Sequence, residues 1–174
     1  MKKIKIYLLS ASFLFIFSLS NAQLSKGNLM VGGNMSAAIG NGAYQLGLYP
    51  SCGYFFTNNV VFGGALNLSL THSSYYGNSS FIALSALGRY YFANVQDQAK
   101  MPKMPVFVQG KLGVSSGSGV IFASGGLGID FFLSNTVALE ASAGANLDNT
   151  GFANLYAMLG FQIFLPSSVY RKSK

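Results

Sequence analysis

The stretch 126–146, GLGIDFFLSNTVALEASAGAN, separates two kinds of side chain by parity. Leu127, Ile129, Phe131 and Leu133 alternate with Gly126, Gly128, Asp130 and Phe132. Beyond Ser134 and Asn135, Val137, Leu139, Ala141, Ala143 and Ala145 alternate with Thr136, Ala138, Glu140, Ser142, Gly144 and Asn146. A period of two is the repeat of a β-strand, and two such runs across a Ser-Asn break predict an antiparallel hairpin. One side of each predicted strand is apolar; the other is small, polar or ionised. A soluble, half-buried strand has the same alternation, so the rest of the chain has to name the solvent.

Composition supplies part of that answer. Only 9% of the 174 residues are charged and 51% are hydrophobic, whereas soluble domains carry about 25% charged residues. Such a chain is short of charge to cover a surface facing water. After the first twenty-odd residues, no apolar run reaches the roughly 20 residues of a spanning helix. Strands that face lipid reconcile the two observations.

The N-terminus reads as an export signal. Lys2, Lys3 and Lys5 precede an apolar segment at 6–19 and then Ser20-Asn21-Ala22, which is the charged, apolar and small-residue order of a secretory signal peptide. Cleavage is expected between Ala22 and Gln23. The domain reading is therefore a signal peptide at 1–22, a barrel at 23–165 and a basic periplasmic tail at 166–174. Without the signal, eight Lys and Arg stand against Asp97, Asp130, Glu140 and Asp148, with much of the excess in Lys100, Lys103 and the tail. Scattered lysines on an exported chain do not make the basic stripe of a nucleic-acid protein, so no nucleic acid is expected as a partner. Cys52 is the only cysteine, which excludes an intramolecular disulfide; it reads as a small apolar surface residue.

Period-two runs recur along the chain. They predict strands at 29–39, 44–56, 60–71, 81–92, 105–115, 120–133, 136–147 and 152–165, with a bulge at Pro50, which cannot donate to a ladder. Segment 72–80, HSSYYGNSS, reads as a polar loop, and 93–104 as the longest irregular piece. Most runs are 11 to 13 residues long, enough for the roughly 9–11 residues of a tilted spanning strand. An even number of strands with short turns predicts an all-β fold, an eight-stranded antiparallel up-and-down transmembrane β-barrel.

Four ionised residues fall within these strands: Arg89, Lys111, Asp130 and Glu140. With parities set from Leu, Ile, Val and Phe alone, all four land on the small, polar side. A soluble barrel would put its charges outside, so the polar side is read as the lumen and the apolar side as the lipid face. The four charges are expected to form one buried cluster of two cations and two anions in the lower lumen. Outward aromatics concentrate at the same end: Tyr54, Phe56, Phe62, Tyr90, Phe92 and Phe131, an interfacial girdle without Trp.

Together with the signal peptide, three stretches carry a family resemblance. They are Val31-Gly32-Gly33-Asn34-Met35-Ser36, Pro50-Ser51-Cys52-Gly53-Tyr54-Phe55-Phe56 and Leu159-Gly160-Phe161-Gln162-Ile163-Phe164. On these the chain resembles the small eight-stranded outer-membrane barrels of the OmpA/OmpX and opacity-protein type, in the form common in Bacteroidetes. The resemblance implies the outer membrane of a Gram-negative cell, both barrel termini periplasmic, and dealings with outer-membrane lipid, the assembly machinery and periplasmic chaperones. A monomer is expected.

No catalytic, cofactor or metal constellation stands out. His72, with Ser69, Ser73 and Ser74 nearby and Asp148 or Glu140 as acid, is the material for an outer-membrane lipid hydrolase, a lesser alternative because Glu140 falls at the opposite end of the barrel from His72. About eight strands leave a lumen that side chains fill, so an open pore is not expected. The function reading is a non-enzymatic barrel with a structural or surface-interaction role in the cell envelope. The alternative of another class is a secreted lipocalin-like carrier of a small apolar ligand, which would need an apolar interior and a charged exterior.

Overall fold

The computed structural model describes residues 24–40, 43–74, 77–92, 104–116, 119–151 and 153–166. The expected signal peptide, most of the irregular piece at 93–104 and nearly all of the basic tail lie outside the described residues. Eight strands follow one another: β1 (Leu29–Gly40), β2 (Ala43–Phe55), β3 (Val60–Ser73), β4 (Gly77–Tyr91), β5 (Val106–Ser115), β6 (Ile121–Phe132), β7 (Val137–Asp148) and β8 (Ala153–Leu165). Each is antiparallel to the next, and β8 returns to pair with β1 from Leu29↔Leu165 to Met35↔Leu159. Among the described strands, closure leaves none at an edge.

Side chains divide by parity as strand geometry requires. Leu48, Leu66, Leu84, Leu112, Leu127, Leu139 and Leu159 stand on the outer surface, Leu127 with 59% of its area exposed. Arg89, Asp130, Glu140 and Gln162 are buried inside, at 3% exposure or less. The wall is therefore apolar outside and ionic within.

The lumen is not uniformly small and polar. At the end where the chain enters and leaves, Leu24, Met30, Phe55, Val61, Leu87, Tyr91, Phe107 and Phe164 pack into one buried cluster, with Phe132 against it. Phe55 stacks on Tyr91 at 5.9 Å between ring centroids, and Phe164 meets Phe132 at 5.1 Å. Glycine makes room for these rings. Gly128 is the cross-strand partner of Phe107, and a Cβ there would run into the Phe107 ring.

Two local expectations are corrected. The β1–β2 register is continuous through Gly33↔Pro50, and the β2–β3 register is the same on both sides of the proline, Leu48↔Leu68 and Ser51↔Ala65. There is no bulge. Pro50 sits in the strand, and its missing N–H falls where the β2–β3 ladder is interrupted for two residues. Segment 72–80 is also mostly strand, with His72↔Asn78 and Thr71↔Ser79 paired in the β3–β4 hairpin. Ladder hydrogen bonds come from the backbone, so a polar run extends a hairpin as readily as an apolar one.

Turns at the terminus end are held by short side chains. Thr57 Oγ1 accepts from Val60 N at 3.0 Å and Asn59 N at 3.2 Å. Ser134 Oγ accepts from Val137 N at 3.1 Å, and Leu133 N donates to Val137 O at 2.9 Å.

Candidate functional site in the barrel lumen

The hairpin centred on Ser134 and Asn135 sets Asp130 directly opposite Glu140 on the lumen face. Two carboxylates so paired repel each other, and a shared cation resolves the conflict. Arg89 supplies it from β4, reaching across the lumen. Its Nη1 donates to Glu140 Oε2 at 2.7 Å and stands 4.0 Å from Asp130 Oδ2. The guanidinium carbon lies 3.9 Å from the centroid of the Phe107 ring, so the cation rests on the face of an aromatic plug.

Neutral groups complete the network. Arg89 Nη2 donates to Gln109 Oε1 at 3.0 Å, and Tyr91 Oη donates to Asp130 Oδ2 at 2.7 Å. Glu140 accepts two further bonds, from Asn34 Nδ2 at 2.7 Å and from Gln162 Nε2 at 2.9 Å. The Asn34 bond needs glycine on the strand between. Gly160 pairs with Asn34 on one side and Glu140 on the other, and a Cβ at Gly160 would strike the Asn34 side chain and the Gly33 carbonyl.

Of the four charges read from sequence, three meet. Lys111 faces the same lumen, but it makes neither a hydrogen bond nor an ion pair with the described residues. Its strand neighbour Gln109 is the rung that reaches Arg89, and Lys111 lies two residues further on, opposite Leu87 and Ser124. That offset is roughly 7 Å along the strand. Tyr91, Asn34, Gln109 and Gln162 were not singled out from sequence, although each shares the lumen parity of its strand. Register was the available signal: Arg89↔Gln109 is a direct cross-strand pair.

Five of the expected girdle residues are exposed on β2–β4 and the turns that follow them, in two groups of touching rings. Tyr54 meets Phe56 at 5.4 Å, Phe56 meets Phe62 at 5.5 Å, and Tyr90 meets Phe92 at 5.3 Å. Phe131 stands apart on β6, with Leu139 between it and Phe161, another outward ring at this end. His72 Nδ1 pairs with Asn78 Oδ1 at 2.5 Å, and its ring stacks on Tyr44 at 5.0 Å. Ser69 has the opposite parity and lines the lumen. Cys52 is free and exposed on the outer wall. No group of three or more metal-ligating side chains occurs among the described residues.

No family model matches the chain, and no curated protein matches it. Among solved structures it is similar to a chain from work on the de novo design of transmembrane β-barrels, at 15% identity and a TM-score of 0.52, covering 82% of this chain and 99% of that one. At such identity the likeness concerns the fold alone. The protein belongs to the all-β class of closed, eight-stranded antiparallel barrels.

Proposed function

We propose that this barrel is a small integral protein of the Gram-negative outer membrane, with both barrel termini in the periplasm. Its role is structural or surface-interacting, without catalysis, and its lumen is not an open pore, being filled by side chains at the terminus end. One observation carries the reading: every strand turns Leu, Ile, Val or Phe side chains outward, while Arg89, Asp130 and Glu140 are buried inside. In water that arrangement would expose a large apolar belt; in hydrocarbon it is the favourable one, because the closed barrel also presents no strand edge to lipid. The aromatic cluster of Phe55, Tyr91, Phe107 and Phe164 supports a filled lumen. A carrier of apolar ligands calls for the reverse polarity.

Expression of the full chain in a Gram-negative host, followed by membrane fractionation and electrophoresis with and without boiling, tests the reading. The protein is expected in the outer-membrane fraction, migrating faster unboiled than boiled. A folded monomer recovered in buffer without detergent would overturn it.

A further inference from the structure

Above the Arg89 network the lumen widens into a cavity of about 590 Å³, towards the end of the barrel opposite the termini. Small-molecule sites run from roughly 300 to 1,000 Å³, so this volume is that of a binding cup. Its wall includes Tyr49, Asn67, Lys111, Ser124, Asn154 and Tyr156. Hydroxyl and amide groups are interspersed with apolar side chains such as Phe81 and Phe122, and Lys111 is the one cation among the described residues of the wall.

Two groups in this wall are left without what they require. The Lys111 ammonium, half-buried, has no hydrogen bond or ion pair among the described residues. Asn67 Oδ1 is buried and accepts no hydrogen bond. A half-buried, unpaired cation favours an anion, and a buried carbonyl oxygen calls for a donor. The nearby acids are otherwise engaged. Glu140, beneath the cup, accepts from Arg89, Asn34 and Gln162. Asp148, also in the wall, accepts from Thr150 N at 2.9 Å and Thr150 Oγ1 at 2.6 Å.

We propose that the cup binds a small hydroxylated anion of the sugar-phosphate or sugar-acid class, its anionic group on Lys111 and one of its hydroxyls donating to Asn67 Oδ1. The site goes beyond the envelope role proposed above and depends only on the lumen, so its failure leaves that reading standing.

The test is calorimetric titration of the full chain, refolded in lauryldimethylamine oxide, a detergent without sugar groups. Glucose 6-phosphate and glucuronate are the probes, with glucose and inorganic phosphate as the two halves of the chemistry. At least one of the two probes is expected to bind at least tenfold tighter than glucose or phosphate, and more weakly as salt is raised. Lys111→Gln should weaken that probe at least tenfold. Asn67→Ala should weaken it severalfold while leaving inorganic phosphate unchanged. Heat-modifiable migration checks that each variant is folded. Three results would overturn the proposal: no binding of either probe to the unaltered protein at millimolar concentration, equal binding of glucose, or undiminished binding by folded Lys111→Gln. Equal binding of inorganic phosphate would reduce the site to a bare anion site and overturn the hydroxylated class.

Discussion

Replacing Glu140 with Gln keeps the shape of the side chain and removes its charge. Three donors converge on this carboxylate: Arg89 Nη1 at 2.7 Å, Asn34 Nδ2 at 2.7 Å and Gln162 Nε2 at 2.9 Å. An amide offers one acceptor oxygen and one N–H₂ group, so whichever way it turns, a donor is set against a donor. Arg89, with a side chain only 1% exposed, is left with Asp130 at 4.0 Å as its nearest anion. Removing one partner of a buried pair costs about 3–5 kcal/mol, and the clash of donors lies within that range rather than adding to it. For a urea slope of about 2 kcal/mol/M, the unfolding midpoint should fall by roughly 2 M.

The assay is urea unfolding of the barrel in lipid vesicles, followed by circular dichroism and by the unboiled band on gels, since the chain has no Trp to report. Lys26→Gln, at an exposed position, is the control and should stay within about 0.5 kcal/mol. In the double mutant Arg89→Gln with Glu140→Gln, the loss should be smaller than the sum of the two single losses by about 0.5–3 kcal/mol. A Glu140→Gln midpoint equal to that of the control, or strict additivity in the double mutant, would refute the pairing.

Tyr91→Phe keeps the ring contacts with Phe55 and Phe107 but deletes the hydroxyl that donates to Asp130 and accepts from Arg89; a loss of about 1–3 kcal/mol is expected in the same unfolding assay, and no loss would deny the hydroxyl its place in the network. Gly160→Ala should push Asn34 off Glu140 and cost about 1–3 kcal/mol, measured the same way; full stability would mean that β1 and β8 adjust freely. Leu127→Arg, on the outer wall, should cost about 2–4 kcal/mol in a bilayer. Unchanged folding of Leu127→Arg into vesicles would argue that this wall does not touch lipid.

Inside and outside were legible in the sequence because two independent signals agreed on them. Apolar parity set the faces, and the strand charges, left out of that choice, then fell on the other face. The strand ends were harder to read. Around His72 the side chains become polar where the β3–β4 hairpin continues, and side-chain polarity says nothing about backbone pairing. At Pro50 the missing donor suggested a bulge, whereas an unchanged register absorbed it through two interrupted rungs.

The cluster was legible to the extent that register could be inferred. Arg89 and Asp130 each lie three residues from the sequence-read strand end and Glu140 four from its start, but Lys111 lies six residues beyond Pro105, and that excess is the pleat that lifts it out of contact. The aromatic floor was hidden because Phe55, Phe107, Phe132 and Phe164 look like ordinary strand residues until parity and glycine partners are considered together. What emerges is a cross-lumen strut rather than a pair of surface-like ion pairs. Through Asn34, Arg89, Gln109, Asp130, Glu140 and Gln162 it ties β1 to β4, β5, β6, β7 and β8. Slipping any of these strands by one residue would turn its member of the network outward, so the buried charges specify register at the same time as they fill space.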